Sequence, residues 1–277
     1  MKILYDHQAF TFQKWGGVSK GFCGFIENLP EEAQAKISIV ETDNHHLLET
    51  KFAEKVRPMS RDMASFRERH PLLGREKIYN FLGNTRLLRT SEVINREASI
   101  KELKNGDFDV FHPTFFDDYF LPYLNGKPFV LTIHDLMPEL FGWYKGDPQI
   151  VNKPKFCELS AVIVAMSENT KRDLCGMYNV PESKVHVIYP GPPQYIENSD
   201  APLIESPYFL FVGGRSGYKN WRQTAKDFSL FYRRHPEVAL LCTGAKFSDD
   251  EKMYLRDLGI EEAVKNVFVK DNQMPSL

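Results

Sequence analysis

Short apolar runs rich in Val, Ile, Leu and Phe recur along the chain, separated by longer stretches in which polar residues dominate. The runs at 2–5, 36–40, 109–112, 129–133, 161–166, 185–188, 208–212, 239–242 and 267–269 all suit short strands. Several are apolar at nearly every position, and a strand apolar on both sides belongs in a parallel sheet covered on both faces. Helical patterns fill the intervals at 19–28, irregularly from about 61 to 104, and at 167–178, 221–235 and 249–258. Ser167-Glu168-Asn169-Thr170 opens one of these with a side chain suited to capping. Strand and helix alternate, which predicts an α/β, doubly wound architecture.

Between Pro190 and Pro207 the pattern breaks. Pro190-Gly191-Pro192-Pro193, Asn198-Ser199-Asp200-Ala201-Pro202 and Ser206-Pro207 are dense in turn formers and cannot continue a sheet interior. The boundary predicts two domains, 1–195 and 196–277. From Pro207 onward 71 residues remain, short for a domain of about 100–150. The last residues, Gln273-Met274-Pro275-Ser276-Leu277, read as the opening of another helix. The expectation is a second domain that is incomplete, in a shortened gene product or a fragment.

Composition narrows the classes. Hydrophobic residues make up 42% and charged residues 26% of the chain, a globular balance, and the formal net charge of -2 offers no global field for nucleic acid. Any phosphate site is therefore local. Cys23, Cys157, Cys175 and Cys242 are scattered with no metal-ligand spacing, which suits a reducing compartment. The N-terminal stretch lacks an apolar core of signal-peptide length, and no apolar run reaches about 18 residues. The expected location is cytoplasmic, free or at the inner face of a membrane.

Candidate chemistry gathers where runs end. Trp15-Gly16-Gly17-Val18-Ser19 stands between the first strand and a helix, where glycines admit a ligand and helix N–H groups face an anion; a plain tight turn fits equally. The run 129–133 ends in His134-Asp135, placing a hydrogen-bonding ring and a carboxylate at a strand's carboxyl end, the ligand edge of open α/β sheets. Asp135 either orients His134 or caps the next segment. His112 and His7 follow two other strands at the same edge. Phe211-Val212-Gly213-Gly214-Arg215 with Tyr218-Lys219-Asn220 puts two cations on a glycine turn, a donor fork and a mobile point charge suited to a diphosphate. Thr243-Gly244 closes the next strand beside it. Asp117-Asp118 has no companion carboxylates, so no metal is assigned.

Taken in order, these stretches resemble the retaining GT-B glycosyltransferases of family 4, mannosyltransferase-like members of bacterial polysaccharide biosynthesis in particular. The residues that carry the likeness are Tyr5-Asp6-His7-Gln8 with Gly16-Gly17-Val18-Ser19, Thr132-Ile133-His134-Asp135, Val164-Ala165-Met166-Ser167-Glu168-Asn169-Thr170-Lys171, Val187-Ile188-Tyr189-Pro190-Gly191, and the glycine–cation turn with Arg215 and Lys219. The resemblance implies two Rossmann-like domains with an N-terminal acceptor domain and a C-terminal donor domain. It implies a hexosyltransferase using a nucleotide-sugar, GDP- or UDP-linked, and a polysaccharide or lipid-linked saccharide acceptor, with no metal and no other cofactor. Nucleic acid is not an expected partner; peripheral membrane association is compatible with the acceptor. By resemblance, Arg215 and Lys219 grip the donor diphosphate and His134 contacts the donor sugar, and these three are the catalytic candidates. Gly16, Gly17, Gly214, Thr243 and Gly244 join Arg215 and Lys219 around the donor, and His7, His112 and Asp135 face the acceptor. The family's later Glu-x7-Glu motif lies beyond the last residue here, so binding without turnover stands as the alternative function. An epimerase of similar architecture needs carboxylate bases that the sequence does not supply.

Overall fold

The computed structural model describes residues 1–59, 90–142, 146–191, 204, 206–215 and 217–269. The chain divides into two compact units, Met1–Gly191 and Pro192–Leu277.

In the first unit, β1 (Lys2–Tyr5) is flanked by β2 (Gln34–Ile37) and β3 (Val110–His112), all parallel. A second parallel trio runs β4 (Val130–Ile133), β5 (Val162–Ala165), β6 (Val185–Val187). A parallel bridge pairs Phe111 with Phe129, setting β3 beside β4 and aligning the strands as β2-β1-β3-β4-β5-β6. The chain direction across the sheet therefore reverses at β1 and β3, the place where open sheets leave a crevice at their carboxyl ends. Leu131, Ile133, Ile163 and Ala165 are almost completely enclosed, as their near-continuous apolar runs require. β2 lies at the edge and alternates between exposed and half-buried positions, which explains why it starts before the apolar run 36–40.

Among the described residues, the helices of this unit are α1 (Gln8–Phe12), α2 (Gly17–Glu27), α3 (His45–Leu48), α4 (Ser91–Asn105), α5 (Met137–Leu140), α6 (Pro148–Leu159) and α7 (Glu168–Tyr178). Most of the long helical pattern beginning near 61 lies outside the described residues; its last part is α4. Ser167 caps α7, its hydroxyl accepting from the Thr170 N–H at 3.0 Å, as the sequence predicts. One core joins β3 to β6 through Phe108, Phe111, Phe120, Phe129 and Phe156, and another packs β1 and β2 against α2 through Phe10, Phe22 and Ile26.

The second unit holds a parallel sheet, β7 (Tyr208–Phe211), β8 (Ala239–Thr243), β9 (Val264–Val267), with α8 (Trp221–Tyr232) and α9 (Asp249–Asp257). Its own core centres on Trp221, Phe228, Leu240 and Leu255. The strand expected at 267–269 is displaced to 264–267. Val264 is the residue that enters the core, whereas Phe268 is 73% exposed. Among the described residues, no helix is long and apolar enough to cross a membrane.

Candidate functional site

Chemistry-bearing residues of the first unit collect at the carboxyl ends of β1, β3 and β4. Asp6, directly after β1, is fully enclosed. Its carboxylate accepts from the Gln8 side-chain amide at 2.6 Å, the Thr114 N–H at 2.8 Å, the Thr114 hydroxyl at 2.6 Å and the Tyr119 hydroxyl at 3.2 Å. It thus ties the exit of β1 to the exit of β3. Burial pushes its pKa up, and the surrounding donors pull the other way.

His112 lies at the end of β3, stacked on Tyr5 with its Nε2 2.8 Å from the Thr132 hydroxyl on β4. His7 has its Nδ1 3.0 Å from the Thr11 hydroxyl and its ring against Tyr119. Burial drives both imidazoles down to about 3, so both are neutral at physiological pH. Both rings are enclosed by the fold, where sequence reading places open acceptor contacts.

His134 is different. It follows β4, half-buried, with Phe22 at its edge and its carbonyl accepting from the Thr170 hydroxyl at 3.2 Å. Its Nε2, like that of His7, is buried and has no hydrogen-bond partner. A small cavity of about 60 Å³ opens here, with His134, Asp135, Thr132, Val18, Phe115 and Gln149 on its walls. A buried ring nitrogen without a partner beside a cavity is a group waiting for a donor or acceptor. Asp135 is exposed and accepts from the Met137 N–H at 3.0 Å, so of its two sequence readings the structure displays the capping one.

Gly16 and Gly17 open α2. The free N–H groups of this helix are already partly engaged: the Gln13 side-chain oxygen accepts from the Ser19 N–H at 3.1 Å. A Cβ on Gly16 would lie 2.2 Å from that oxygen, so the folded-back Gln13 side chain depends on a glycine there; Gly17 faces open space. Asn44 braces the same turn, donating to the Ser19 hydroxyl at 2.8 Å.

Behind His134-Asp135 lies a buried ion pair missed by sequence reading. Lys153 on α6 meets Glu139 on α5 at 2.6 Å, with side chains 2% and 5% exposed, and also donates to the Asp135 carbonyl at 3.4 Å. Tyr178 donates to Glu139 at 3.0 Å.

In the second unit the strand ends converge. Gly213, after β7, has φ +108, and its N–H donates to the Thr243 hydroxyl at 3.3 Å. Gly244 has φ +103, and a Cβ there would touch the Gly213 carbonyl at 3.6 Å. Lys219 folds over this turn, its ammonium donating to the Val212 carbonyl at 3.1 Å and lying 2.5 Å from where a Gly213 Cβ would stand. Gly214 is exposed with space around it. Asn266 on β9 donates to the Gly244 carbonyl at 3.2 Å, a contributor with no sequence signal.

Arg215 departs from the expected arrangement. Its side chain is 7% exposed and makes a two-pronged bond to Glu251, at 2.8 and 3.1 Å, while also donating to the Lys246 carbonyl. Glu251 belongs to the capping box of α9 with Ser248, and Arg215 together with that box holds its carboxyl below the ordinary range. The sequence did carry this signal, in Ser248-Asp249-Asp250-Glu251. Asp117 and Asp118 are paired with Arg96 and Lys155. Among the described residues, no three metal-ligating side chains converge.

Parallel sheets with polar groups at the strand carboxyl ends place the fold in the doubly wound α/β class. Residues 56–192 match the profile of Glycosyltransferase Family 4. No curated protein matches the sequence. Among solved structures, Anabaena HepE in complex with UDP aligns with a TM-score of 0.60 at 15% identity, over 100% of this chain and 71% of that one. A glycosyltransferase from Rickettsia africae aligns at 0.57 and 14%, over 98% and 69%. Staphylococcus aureus MnaA, solved with UDP, aligns at 0.53 and 13%, again over 98% and 69%. The fold is that of the GT-B glycosyltransferases.

Proposed function

We propose that the chain transfers a hexose from a nucleotide-sugar to a polysaccharide or lipid-linked saccharide, retaining the anomeric configuration, at the cytoplasmic face. The observation that carries this reading is the glycine turn at the ends of β7 and β8 with the Lys219 ammonium folded over it. In the transfer, the bond from the sugar anomeric carbon to the diphosphate oxygen breaks. A bond to the acceptor oxygen forms on the same face, and the acceptor proton passes to the leaving phosphate. Negative charge grows on the diphosphate, so a cation already held at the turn lowers the barrier. Two positive-φ glycines let the backbone approach the phosphate without a side chain in the way. In the first unit, the His134 ring meets a saccharide hydroxyl at the cavity.

Binding without turnover is favoured by one feature, the commitment of Arg215 to Glu251, which leaves Lys219 as the more available cation. Calorimetric titration with UDP and GDP tests the donor site. Measurable affinity that falls about tenfold in Lys219→Ala is the expected result, one charge-assisted contact being worth about 1.5–3 kcal/mol. Absence of binding by either nucleotide sinks the donor assignment. Release of free sugar from a nucleotide-sugar then separates an enzyme from a binding module.

A further inference from the structure

We propose that the outer edge of β7 is a self-association surface, on which a second copy of this chain docks. The two β7 strands pair antiparallel about a two-fold axis through Leu210. Among the described residues β7 pairs with β8 alone and is an outer strand of its sheet. The Ala239 N–H donates to the Pro207 carbonyl at 3.0 Å, and a parallel ladder engages alternate residues of each strand. Pro207, Phe209 and Phe211 therefore turn their backbone groups toward β8, and Leu210 turns its N–H and C=O to the open side. The Leu210 side chain is 40% exposed, with Phe209 before it at 50% and Val212 after it at 46%. An apolar strand that presents backbone donors and acceptors at its edge is a template for another strand.

The other outer strands are guarded. β2 exposes Gln34 and Lys36, β6 exposes His186, and β9 exposes Lys265, polar groups of the kind that discourage edge pairing. From Tyr208 to Val212 there is no charged residue and no proline. That absence favours a second copy as the occupant. Under a two-fold axis each position meets its mirror position, so any charge on the strand would face its like; here none does. The two cations that follow in sequence are engaged within their own unit, Arg215 by Glu251 and Lys219 by the Val212 carbonyl. With Leu210 opposite its own counterpart, Phe209 stands across from the counterpart of Phe211, an aromatic cross-strand pair formed twice. Phe209 is already steadied for this, its ring edge-on to Phe231 of α8 at 5.1 Å. The ends of the pairing set Pro207 across from Gly213, which carries no side chain to obstruct it.

Analytical ultracentrifugation of the full chain between about 1 and 200 µM tests this. The expected result is a reversible rise in mass toward twice the 32.1 kDa of one chain. Leu210→Lys and Leu210→Glu each set like charges face to face and weaken association about tenfold or more. The circular dichroism spectrum and the melting temperature of dilute samples stay unchanged. An equimolar mixture of the two variants regains the association of the parent, because residue 210 of one copy then meets the opposite charge on the other. A parent that stays monomeric throughout the range overturns the proposal, whatever else covers the edge. So does association undiminished in both single variants, or a mixture that associates no better than its components.

Discussion

His7 and His112 stay neutral at a cost that appears when the solution is acidified. Each imidazole is pushed by burial from its ordinary value of 6.5 to about 3. A histidine depressed in the folded state contributes stability that is complete above pH 6.5. That contribution is lost as pH falls toward 3, because the unfolded chain takes up the proton first. The expected loss is roughly 1.4 kcal/mol per pH unit for each ring. Urea midpoints measured from pH 7.5 to pH 4.5 check this, and His112→Gln halves the slope. A flat profile above pH 5 refutes the burial argument. Gly213 makes a second case. An alanine there meets both the positive φ and the Lys219 ammonium, so Gly213→Ala costs about 1–2 kcal/mol of stability and loosens nucleoside diphosphate binding. Calorimetry with UDP and a thermal melt read the two effects separately. At this scale the sequence was only half legible: the cations and glycines of the turn could be picked out, but not the choice of Glu251 as the partner of Arg215. Pairing across 36 positions depends on where α9 begins, and only a capping pattern hinted at that.

Helix α2 shows how an element's first turn depends on a residue before it. Gln13 reaches forward to the Ser19 N–H over the bare face of Gly16. Gly16→Ala expels that carboxamide, so it and Gln13→Ala each cost about 1 kcal/mol, the worth of a lost cap. Because both remove the same bond, the double variant costs little more than either alone, and a double-mutant cycle in urea detects this coupling. Helix α6 places the opposite kind of interaction, since Lys153 and Glu139 are both out of water. Lys153→Met leaves a buried carboxylate and costs about 3–5 kcal/mol, whereas Lys153→Met with Glu139→Leu recovers most of that loss. Neither α5 nor α6 was foreseen. In α6, Pro148 occupies a first helical position where no N–H is needed, and Pro154 is accommodated inside. By contrast β1, β4, β5 and β8 were readable, because strands covered on both faces carry near-continuous apolar runs.

Among the described residues, three apolar cores respect the division of the chain: two lie within Met1–Gly191 and one within the remainder. A fragment of residues 1–191 is therefore expected to unfold cooperatively by itself, with a urea midpoint close to that of the first unit in the full chain. Failure of that fragment to show a single sharp transition by circular dichroism refutes the independence of its cores.

The same division is written into the tryptophans. Trp15 in one unit is 45% exposed, while Trp221 in the other is 1% exposed with its indole N–H 3.3 Å from the Cys242 sulfur. The two fluorophores thus differ in emission colour and in their access to soluble quenchers such as iodide. With Trp143 replaced by phenylalanine, iodide quenching reports events around the glycine-bearing loop of the first unit. The blue component reports melting of the second, so each half carries its own optical label without any added dye.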